Sequence, residues 1–336
     1  MKLSVIVPVY NMAAGGKLRF CLDSLLTQSL KDMEIIAVDD ASTDSSRDIL
    51  KEYEEKGVRV IYSGTNHRQG GARNLGMKAA SGEWTGFMDS DDFADPGMFE
   101  KLLRRAEETG ADVVGCDYTI VDEQAFKPGR NVTVNTDDQC GILDEEKHKR
   151  LILRPGSMVV KIYKSSLIRE NGLSFPEDMF YEDNCAAAVW SAYYGHFERV
   201  AEPLYYYYTD SSSTTHHVSW GKCLDRVRSG EEMIRSFKER GLYEAYRTEL
   251  VRRFAELSYA GTLFSYMYAG EKQKLKNTAY LRKLMLEYCP GFLEDPFAEE
   301  CFDAEQRKLL KLHKSSNLLF FVYYKILFGY RRLRKK

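Results

Sequence analysis

The chain has 336 residues, 44% hydrophobic and 29% charged, which is enough for one large domain or two smaller ones with hydrophobic cores. Its 48 Lys and Arg residues nearly balance 50 Asp and Glu residues, and a formal net charge of -2 gives no general attraction to nucleic acid. The 7 cysteines are scattered, without a Cys-x-x-Cys pair, so a disulfide framework and a zinc site of paired cysteines are excluded.

The N-terminus carries a short apolar run, Leu3 to Val9, that ends at Tyr10 and Asn11. The run is rich in β-branched residues and lacks a small-residue cleavage site, which indicates a first β-strand and not a signal peptide. No segment reaches the ~20 consecutive apolar residues of a transmembrane helix. Together with the reduced thiols, these features predict a cytoplasmic protein.

Strand and helix patterns alternate up to about Tyr118. The predicted strands cover residues 3–9, 34–38, 58–62, 84–88 and 112–116, and the predicted helices cover 17–28, 45–56, 71–80 and 97–108. This alternation predicts a parallel sheet covered on both faces, with the carboxyl ends of its strands at one edge. Open α/β sheets bind ligands at that edge. The polar stretches expected there are Tyr10-Asn11, Asp39-Asp40, Asn66–Gly71 and Asp89–Asp92.

Beyond Tyr118 the pattern changes. Residues 121–140 are polar and predict a loop or a hairpin, and strands predicted at 158–163 and 204–208 flank a helix at 183–194. From Trp220 onward every predicted segment is helical. The sequence therefore predicts an α/β domain over residues 1–215 and a helical region over 216–336.

Three carboxylates, Asp89, Asp91 and Asp92, follow the apolar strand Trp84–Met88. Carboxylates this close repel one another and need a positive partner, and hard cations such as Mg²⁺ or Mn²⁺ prefer oxygen ligands. The competing interpretation is a helix N-cap with acidic residues in the first turn. Because Asp95-Pro96 already supplies a cap and first turn for the next helix, the pattern favours a ligand site.

Four stretches of the first third carry the most specific signal. They are Ser4–Asn11, Val38–Asp44, Gly70–Gly76 and Phe87–Asp92. In this order they resemble the motifs of family 2 glycosyltransferases with the GT-A fold, over roughly the first 210 residues. The resemblance implies an α/β class: a Rossmann-like, mostly parallel open sheet with helices on both faces, followed here by a mainly α-helical C-terminal region.

The resemblance implies a nucleotide-diphospho-sugar donor held at the strand ends. The implied residues are Pro8, Tyr10, Asn11, Asp40, Arg68, Arg73, Asp89 and Ser90. Side-chain chemistry agrees, since Tyr10 can stack on a base and Asp40 can accept the N3–H of uracil, although guanine also presents N–H donors. Arg68 and Arg73 are candidates for the base edge or the diphosphate, which the backbone of Gly70-Gly71 could also approach.

Some of these residues could instead have a purely structural role. Tyr10 also suits the edge of a core, and Arg73 also suits a surface salt bridge. The stretch Asp39–Asp44 is typical of turn and helix-cap chemistry. That chemistry explains Ser42 to Asp44 better than it explains the two carboxylates before them.

The resemblance also implies a divalent metal, Mn²⁺ or Mg²⁺, and inversion at the anomeric carbon. It assigns Asp89 to the ribose or the metal and Asp91 to the metal, with Asp92 as the alternative ligand. His216 is a further candidate for metal or phosphate, against a plain surface position. A metal that stabilises the departing diphosphate leaves one further requirement, a base for the acceptor hydroxyl.

The Glu182-Asp183 pair, at the start of a predicted helix, resembles the Glu-Asp pattern of the family. We assign Asp183 as the catalytic base and Glu182 as the group that orients it or contacts acceptor hydroxyls. The competing interpretation is a carboxylate that caps the helix. Glu177-Asp178 is a weaker candidate for the base.

These residues predict a metal-dependent inverting glycosyltransferase. It would move a sugar from a UDP-sugar to a glycan or lipid-linked acceptor in bacterial cell-surface polysaccharide assembly. A nucleotidyltransferase that forms sugar nucleotides is the alternative enzyme, but Tyr10–Lys17 lacks its Gly-rich, Arg-containing loop. A nucleotide-binding relative without turnover is the other alternative, and the intact Asp89, Asp91 and Asp183 argue against it.

The C-terminus joins an apolar run, Leu318–Phe328, to a basic tail. The basic residues are Arg331, Arg332, Arg334, Lys335 and Lys336. The run is too short to span a bilayer. It is either a helix docked on the protein's own core or an anchor at an anionic membrane surface, peripheral on the inner face of the plasma membrane.

Overall fold

The computed structural model describes residues 1–209, 218–269 and 273–334, with the backbone alone from residue 330 onward. The chain forms two compact units, Met1–Ser213 and Thr214–Lys336. His216, the predicted ligand of metal or phosphate, lies outside the described residues. Within the described ranges, no helix combines the length and apolar character needed to cross a membrane.

The first unit is built on one open mixed sheet. Its strands are β1 (Leu3–Val9), β2 (Met33–Asp39), β3 (Arg59–Tyr62), β4 (Trp84–Phe87), β5 (Phe93–Ala94), β6 (Val113–Val121), β7 (Arg130–Val132), β8 (Gly141–Ile142), β9 (Lys161–Lys164) and β10 (His196–Tyr208). The strand order is β3-β2-β1-β4-β9-β6-β10-β5, with β7 beside β6 and β8 beside β10. The first four strands are parallel, β9 runs antiparallel between β4 and β6, and β10 is parallel to β6.

Helices connect the strands of this unit. They are α1 (Lys17–Leu26), α2 (Ser46–Glu54), α3 (Arg68–Ala79), α4 (Met98–Thr109), α5 (Glu145–Leu153), α6 (Ser165–Glu170) and α7 (Glu182–Ser191). Helices α2 and α4 bury an apolar stripe each. Strand β1 is buried along its whole length, as expected in a parallel sheet that is covered on both faces.

The ends of β1, β2 and β4 position the candidate site. β1 and β2 pair in register up to their last residues, Val9 and Asp39, and β4 pairs with the other side of β1 up to Phe87. The segments that follow the three strands therefore leave the sheet at one edge, as the sequence predicts. We call this the carboxyl edge.

The second unit is mainly helical in its described residues, which confirms the prediction for this part of the chain. Its helices are α8 (Trp220–Glu239), α9 (Arg247–Arg253), α10 (Thr262–Tyr268), α11 (Leu275–Tyr288), α12 (Phe297–Cys301), α13 (Ala304–Ser315) and α14 (Asn317–Arg334). A π-helix, Phe254–Gly261, joins α9 to α10. His313 lies in the core, bonded to the Tyr259 hydroxyl at 2.7 Å, and burial lowers the pKa of His313 to about 4.

Candidate active site

Asn11 joins the loop after β1 to the loop after β2. Its backbone N–H donates to Ser42 Oγ at 3.0 Å, and its side-chain Oδ1 accepts the Thr43 N–H at 2.8 Å. Asn is one of the residues that tolerate the left-handed backbone conformation found here, with φ of 52°. The amide oxygen of Asn11 is thus already used to hold the two loops together.

The residues predicted to hold the base differ in exposure. Tyr10 is 46% exposed, so one face of its ring can receive a planar ligand, whereas Pro8 is buried within β1. Asp40 is buried, and its Oδ1 accepts the His67 N–H at 2.8 Å. Burial raises the pKa of Asp40, opposed by this hydrogen bond. Asp40 therefore also fixes the loop that leads into α3.

The contacts of Asp39 give this carboxylate a structural role that the sequence analysis did not predict. Its Oδ2 accepts a hydrogen bond from Arg47 Nε at 2.7 Å, and its Oδ1 accepts the Ser42 N–H at 3.3 Å. Arg47 also donates to the Ser63 carbonyl at 3.2 Å. The buried Asp39 carboxylate therefore holds the turn after β2 in place.

Arg73, on α3, is the buried centre of the site. Its side chain is 4% exposed, and its Nη1 and Nη2 donate to Glu182 Oε1 at 2.5 Å and to Asp89 Oδ1 at 2.7 Å. This burial contradicts the alternative of a surface salt bridge, while the predicted contact of Arg73 with the base edge or the diphosphate stays a prediction. Arg73 instead bridges the acidic segment after β4 and the start of α7.

The Glu182-Asp183 pair opens α7, as predicted. Burial raises the pKa of Glu182, opposed by Arg73 and reinforced by Asp183. The Asp183 side chain is accessible to solvent. Partial desolvation by neighbouring protein atoms raises its pKa, Arg73 opposes this effect, and the nearby Asp89 reinforces it. Asp183 is the member of the pair that a solute can reach.

Close packing of α3 against the segment before α7 fixes this arrangement. Asn74 exchanges two hydrogen bonds of 2.9 Å with the backbone of Phe175 and donates to Glu177 Oε1 at 2.8 Å. A Cβ on Gly70 would lie 2.0 Å from the Pro176 carbonyl oxygen. Gly70 is therefore explained by helix packing. Sequence reasoning missed the partners of Asn74 because contacts between residues a hundred positions apart leave no local pattern.

The acidic segment after β4 separates into two kinds of carboxylate. Asp92 is buried, and its oxygens accept hydrogen bonds from the Tyr205 hydroxyl at 2.5 Å and the Tyr208 N–H at 2.8 Å. Burial raises the pKa of Asp92, as do Asp91 and Asp89. These contacts tie the segment to β10, so Asp91 and Asp89, which are partly exposed, are better placed as metal ligands. The neighbouring Ser90 is buried.

The carboxylates fit a divalent metal that is shared with a ligand. Among the described residues, no group of three or more His, Cys, Asp or Glu side chains could hold a metal ion alone. Mg²⁺ and similar cations keep several waters and bind through one or two carboxylates together with substrate phosphates. Asp91 and Asp89 fit that donor set by their chemistry and by their partial exposure.

Unusual backbone conformations concentrate around the site. In the described chain, the non-glycine residues with positive φ are Asn11, Ala41, Arg68, Asp178 and Tyr181. All lie in the loops after β1 and β2, at the start of α3, or just before α7. Such conformations cost free energy and cluster at functional sites. The exposed Arg68 also places its guanidinium carbon 4.4 Å from the centre of the Phe180 ring.

Two comparisons by sequence identify similar proteins. Residues 4–170 match the family model described as Glycosyl transferase family 2. The uncharacterized glycosyltransferase EpsJ of Bacillus subtilis is 32% identical over 186 residues, 54% of each chain. The poly(ribitol-phosphate) beta-glucosyltransferase of Bacillus spizizenii is 33% identical over 186 residues, 52% of this chain and 27% of that protein. This chain spans about half the length of the first curated relatives it matches.

A solved structure resembles both units. TarS 1-349 of S. aureus in complex with UDP-GlcNAc superposes with a TM-score of 0.70 at 21% identity, over 99% of this chain and 92% of that one. At this identity the likeness establishes the fold alone. It confirms the predicted GT-A fold class with its mainly helical C-terminal region.

Proposed function

Because residues 4–170 of this chain belong to glycosyl transferase family 2, we propose that the protein is an inverting glycosyltransferase. It moves a sugar from a UDP-sugar to a glycan or lipid-linked acceptor in bacterial cell-surface polysaccharide assembly. The solved complexes of TarS with UDP-GlcNAc and with UDP support the donor. The similarity to a poly(ribitol-phosphate) beta-glucosyltransferase supports a cell-surface polymer as the acceptor.

One observation carries this proposal: Arg73 joins the start of α7 to the acidic segment after β4. Asp183 stands next to Glu182, which Arg73 binds, and Arg73 also binds Asp89. The contact brings an accessible carboxylate beside the carboxyl edge, where nucleotide ligands bind in open α/β sheets. A base and a donor site are the two parts that a single displacement needs.

The proposed reaction uses Asp183 as its base. A hydroxyl of the acceptor attacks the anomeric carbon from the side opposite the diphosphate, and its proton passes to the Asp183 carboxylate. The bond between the anomeric carbon and the diphosphate oxygen breaks, and UDP leaves with the bonding electron pair. One displacement inverts the configuration of that carbon. Glu182 and Arg73 touch neither reactant in this scheme and act as positioning residues.

The donor is held by residues of the carboxyl edge. Tyr10 stacks on the uracil, and the exposed Arg68 contacts the diphosphate. Asp91 and Asp89 would hold a Mn²⁺ or Mg²⁺ ion, which would supply Lewis-acid stabilisation of the charge on the departing diphosphate. Because UDP-sugars are cytoplasmic metabolites, the enzyme acts in the cytoplasm, at the inner face of the plasma membrane when its acceptor is lipid-linked.

A turnover assay tests this proposal. Purified protein is incubated with Mn²⁺, a panel of α-linked UDP-sugars and cell-surface glycan or lipid-linked acceptors, and released UDP is counted against reactions without acceptor. We expect acceptor-dependent UDP release, and a β-linked product in the NMR spectrum. A product that retains the α configuration, or release that no acceptor increases, would contradict an inverting transferase.

A further inference from the structure

Helix α14 has one face packed against its own unit. Phe320 and Tyr324 are buried, and the Phe320 ring lies 4.6 Å from the ring of His313. At the start of the helix, Asn317 bonds to His313 Nε2 at 3.0 Å and donates to the Leu275 carbonyl at 3.2 Å. The helix is therefore docked on the core, as one of the two sequence-based interpretations predicts.

The opposite face of α14 is apolar and exposed to solvent. Its exposed large hydrophobic residues are Leu318, Leu319, Val322, Tyr323 and Ile326. At about 100° per residue they form one stripe, on the side of the helix away from Phe320 and Tyr324. Both faces of α14 are thus apolar. Within the described residues, only the face with Phe320 and Tyr324 is buried against other parts of the protein.

The charged residues of the C-terminal segment, residues 317–336, are all basic. Six of the 48 Lys and Arg residues fall within residues 317–336, and none of the 50 Asp and Glu residues does. One of these cations is Lys325, within the helix, and the rest follow from Arg331 onward. The remainder of the chain carries an excess of acidic residues, so an excess of positive charge is a property of the sequence segment that includes α14.

We propose that the exposed face of α14 docks on an anionic membrane surface, with the helix lying in the plane of the interface. An apolar stripe together with clustered cations and no carboxylate is the chemistry that inserts at the boundary of headgroups and acyl chains and attracts anionic lipid. Tyr323, at the margin of the stripe, suits that boundary. The proposal deepens the proposed function and rests on it for the lipid-linked acceptor.

Vesicle co-sedimentation tests the docking. Full-length protein is mixed with vesicles of phosphatidylglycerol and phosphatidylcholine, or of phosphatidylcholine alone. We expect pelleting with the anionic vesicles at low salt, and weaker pelleting at high salt because the charge attraction is screened. The triple substitution Leu319→Ser, Val322→Ser, Ile326→Ser should lower partitioning by about tenfold or more, since binding scales with buried apolar area. Arg331→Gln with Arg332→Gln removes two of the six cations and should weaken the preference for the anionic lipid.

Two controls keep the result specific. Leu286→Ser with Lys283→Gln changes an exposed apolar residue and an exposed cation on α11, and partitioning should stay at the wild-type level. Sedimentation velocity without lipid tests for a second copy of the chain on the stripe. A dimer that the triple substitution dissociates would overturn the proposal, as would wild-type protein that stays in the supernatant at low salt.

The readouts also separate this proposal from the proposed function. Vesicle binding by a protein that neither binds UDP nor transfers sugar would leave the docking in place and overturn the proposed function. UDP binding and transfer by a protein that never pellets with anionic vesicles would overturn the docking alone.

Discussion

At the scale of single residues, the site depends on one buried arginine shared between two acidic groups. Arg73 binds Glu182 and Asp89 through separate nitrogens, and its guanidinium carbon lies 5.2 Å from the centre of the Phe175 ring. Breaking a buried ion pair by removing one partner typically costs about 3–5 kcal/mol, because an unpaired charge remains buried. In the proposed mechanism, Arg73 therefore acts by fixing the position of Asp183.

Replacing the proposed base should separate binding from chemistry. We expect Asp183→Asn to bind UDP like the wild type, because the amide keeps the shape of the side chain, and to lose roughly 10²–10⁴-fold in kcat, the usual contribution of a general base. Calorimetry and UDP release measure the two effects. The matched control is Asp32→Asn, whose side chain is 59% exposed and lies just before β2, at the opposite end of that strand from the carboxyl edge. An Asp183→Asn enzyme with wild-type kcat would shift the role to another carboxylate.

The raised pKa of Asp183 also predicts how activity depends on pH. Surrounding protein, together with Asp89, holds this pKa above its ordinary value of 3.8. Only the ionised carboxylate accepts a proton, so kcat/KM should rise with pH, with a midpoint above pH 3.8, and then level off. The profile belongs to the coupled pair with Glu182. Asp32→Asn should leave it unchanged, and a profile that is flat down to pH 3.8 would count against Asp183.

Asp92 should matter for stability more than for the metal. Asp92→Ala removes the acceptor for the proton of the buried Tyr205 hydroxyl, and an unsatisfied buried polar group costs about 1–3 kcal/mol. We expect a lower Tm in calorimetry for Asp92→Ala. Asp91→Ala, the control, removes a like charge next to Asp92 and should leave the Tm close to that of the wild type. Equal losses in both variants would contradict this division of roles.

At the scale of elements, α3 and the segment before α7 form one packed pair. The glycine-rich start of α3 is typical of a phosphate-binding turn, yet the space beside Gly70 is filled by the Pro176 carbonyl and by Glu182. A side chain there would push the start of α7 away from the carboxyl edge. The two helices must therefore stay in close contact for Asp183 to remain in place.

Gly70→Ala tests this contact. The added Cβ would lie 2.0 Å from the Pro176 oxygen and 3.1 Å from Glu182 Cγ. Overpacking typically costs about 1–3 kcal/mol, so the Tm should fall by several degrees, and turnover should fall with it. In the control Gly64→Ala, nothing lies within 4 Å of the added Cβ, and both quantities should stay unchanged. Wild-type turnover in Gly70→Ala would mean that the packing does not position the base.

Periodicity predicted some elements better than others. Strand β1 and helix α4 were predicted almost to the residue because each has a clear apolar pattern. Strand β10 begins at His196, whereas the predicted strand begins at residue 204. Its first half carries polar residues, and its register with β6 shifts around Pro203. Those features remove the alternation by which a strand is recognised.

At the scale of the whole molecule, the order of strands and helices along the sequence predicted which loops lie close together. It did not predict which atoms form hydrogen bonds. Parallel strands place Tyr10, Asp40 and Asp89 at one edge of the sheet. The rule that crossover connections between parallel strands are right-handed is enough for that inference. The bonds of Arg73 and Asn74 join residues about a hundred positions apart, and no local pattern records such pairs. The fold class could therefore be predicted from the sequence. The buried contacts of Arg73 with Glu182 and Asp89 could be found only from the three-dimensional structure.

Calorimetric titration with UDP is a direct test for a metal-dependent UDP-sugar site at the carboxyl edge. The titration is run with Mn²⁺ and with excess chelator, on the wild type and on Asp91→Ala. We predict that UDP binds the wild type more tightly with Mn²⁺ than with chelator, and that Asp91→Ala loses this difference while its Tm is unchanged. Equal UDP binding with and without chelator, or no UDP binding at all, would contradict such a site.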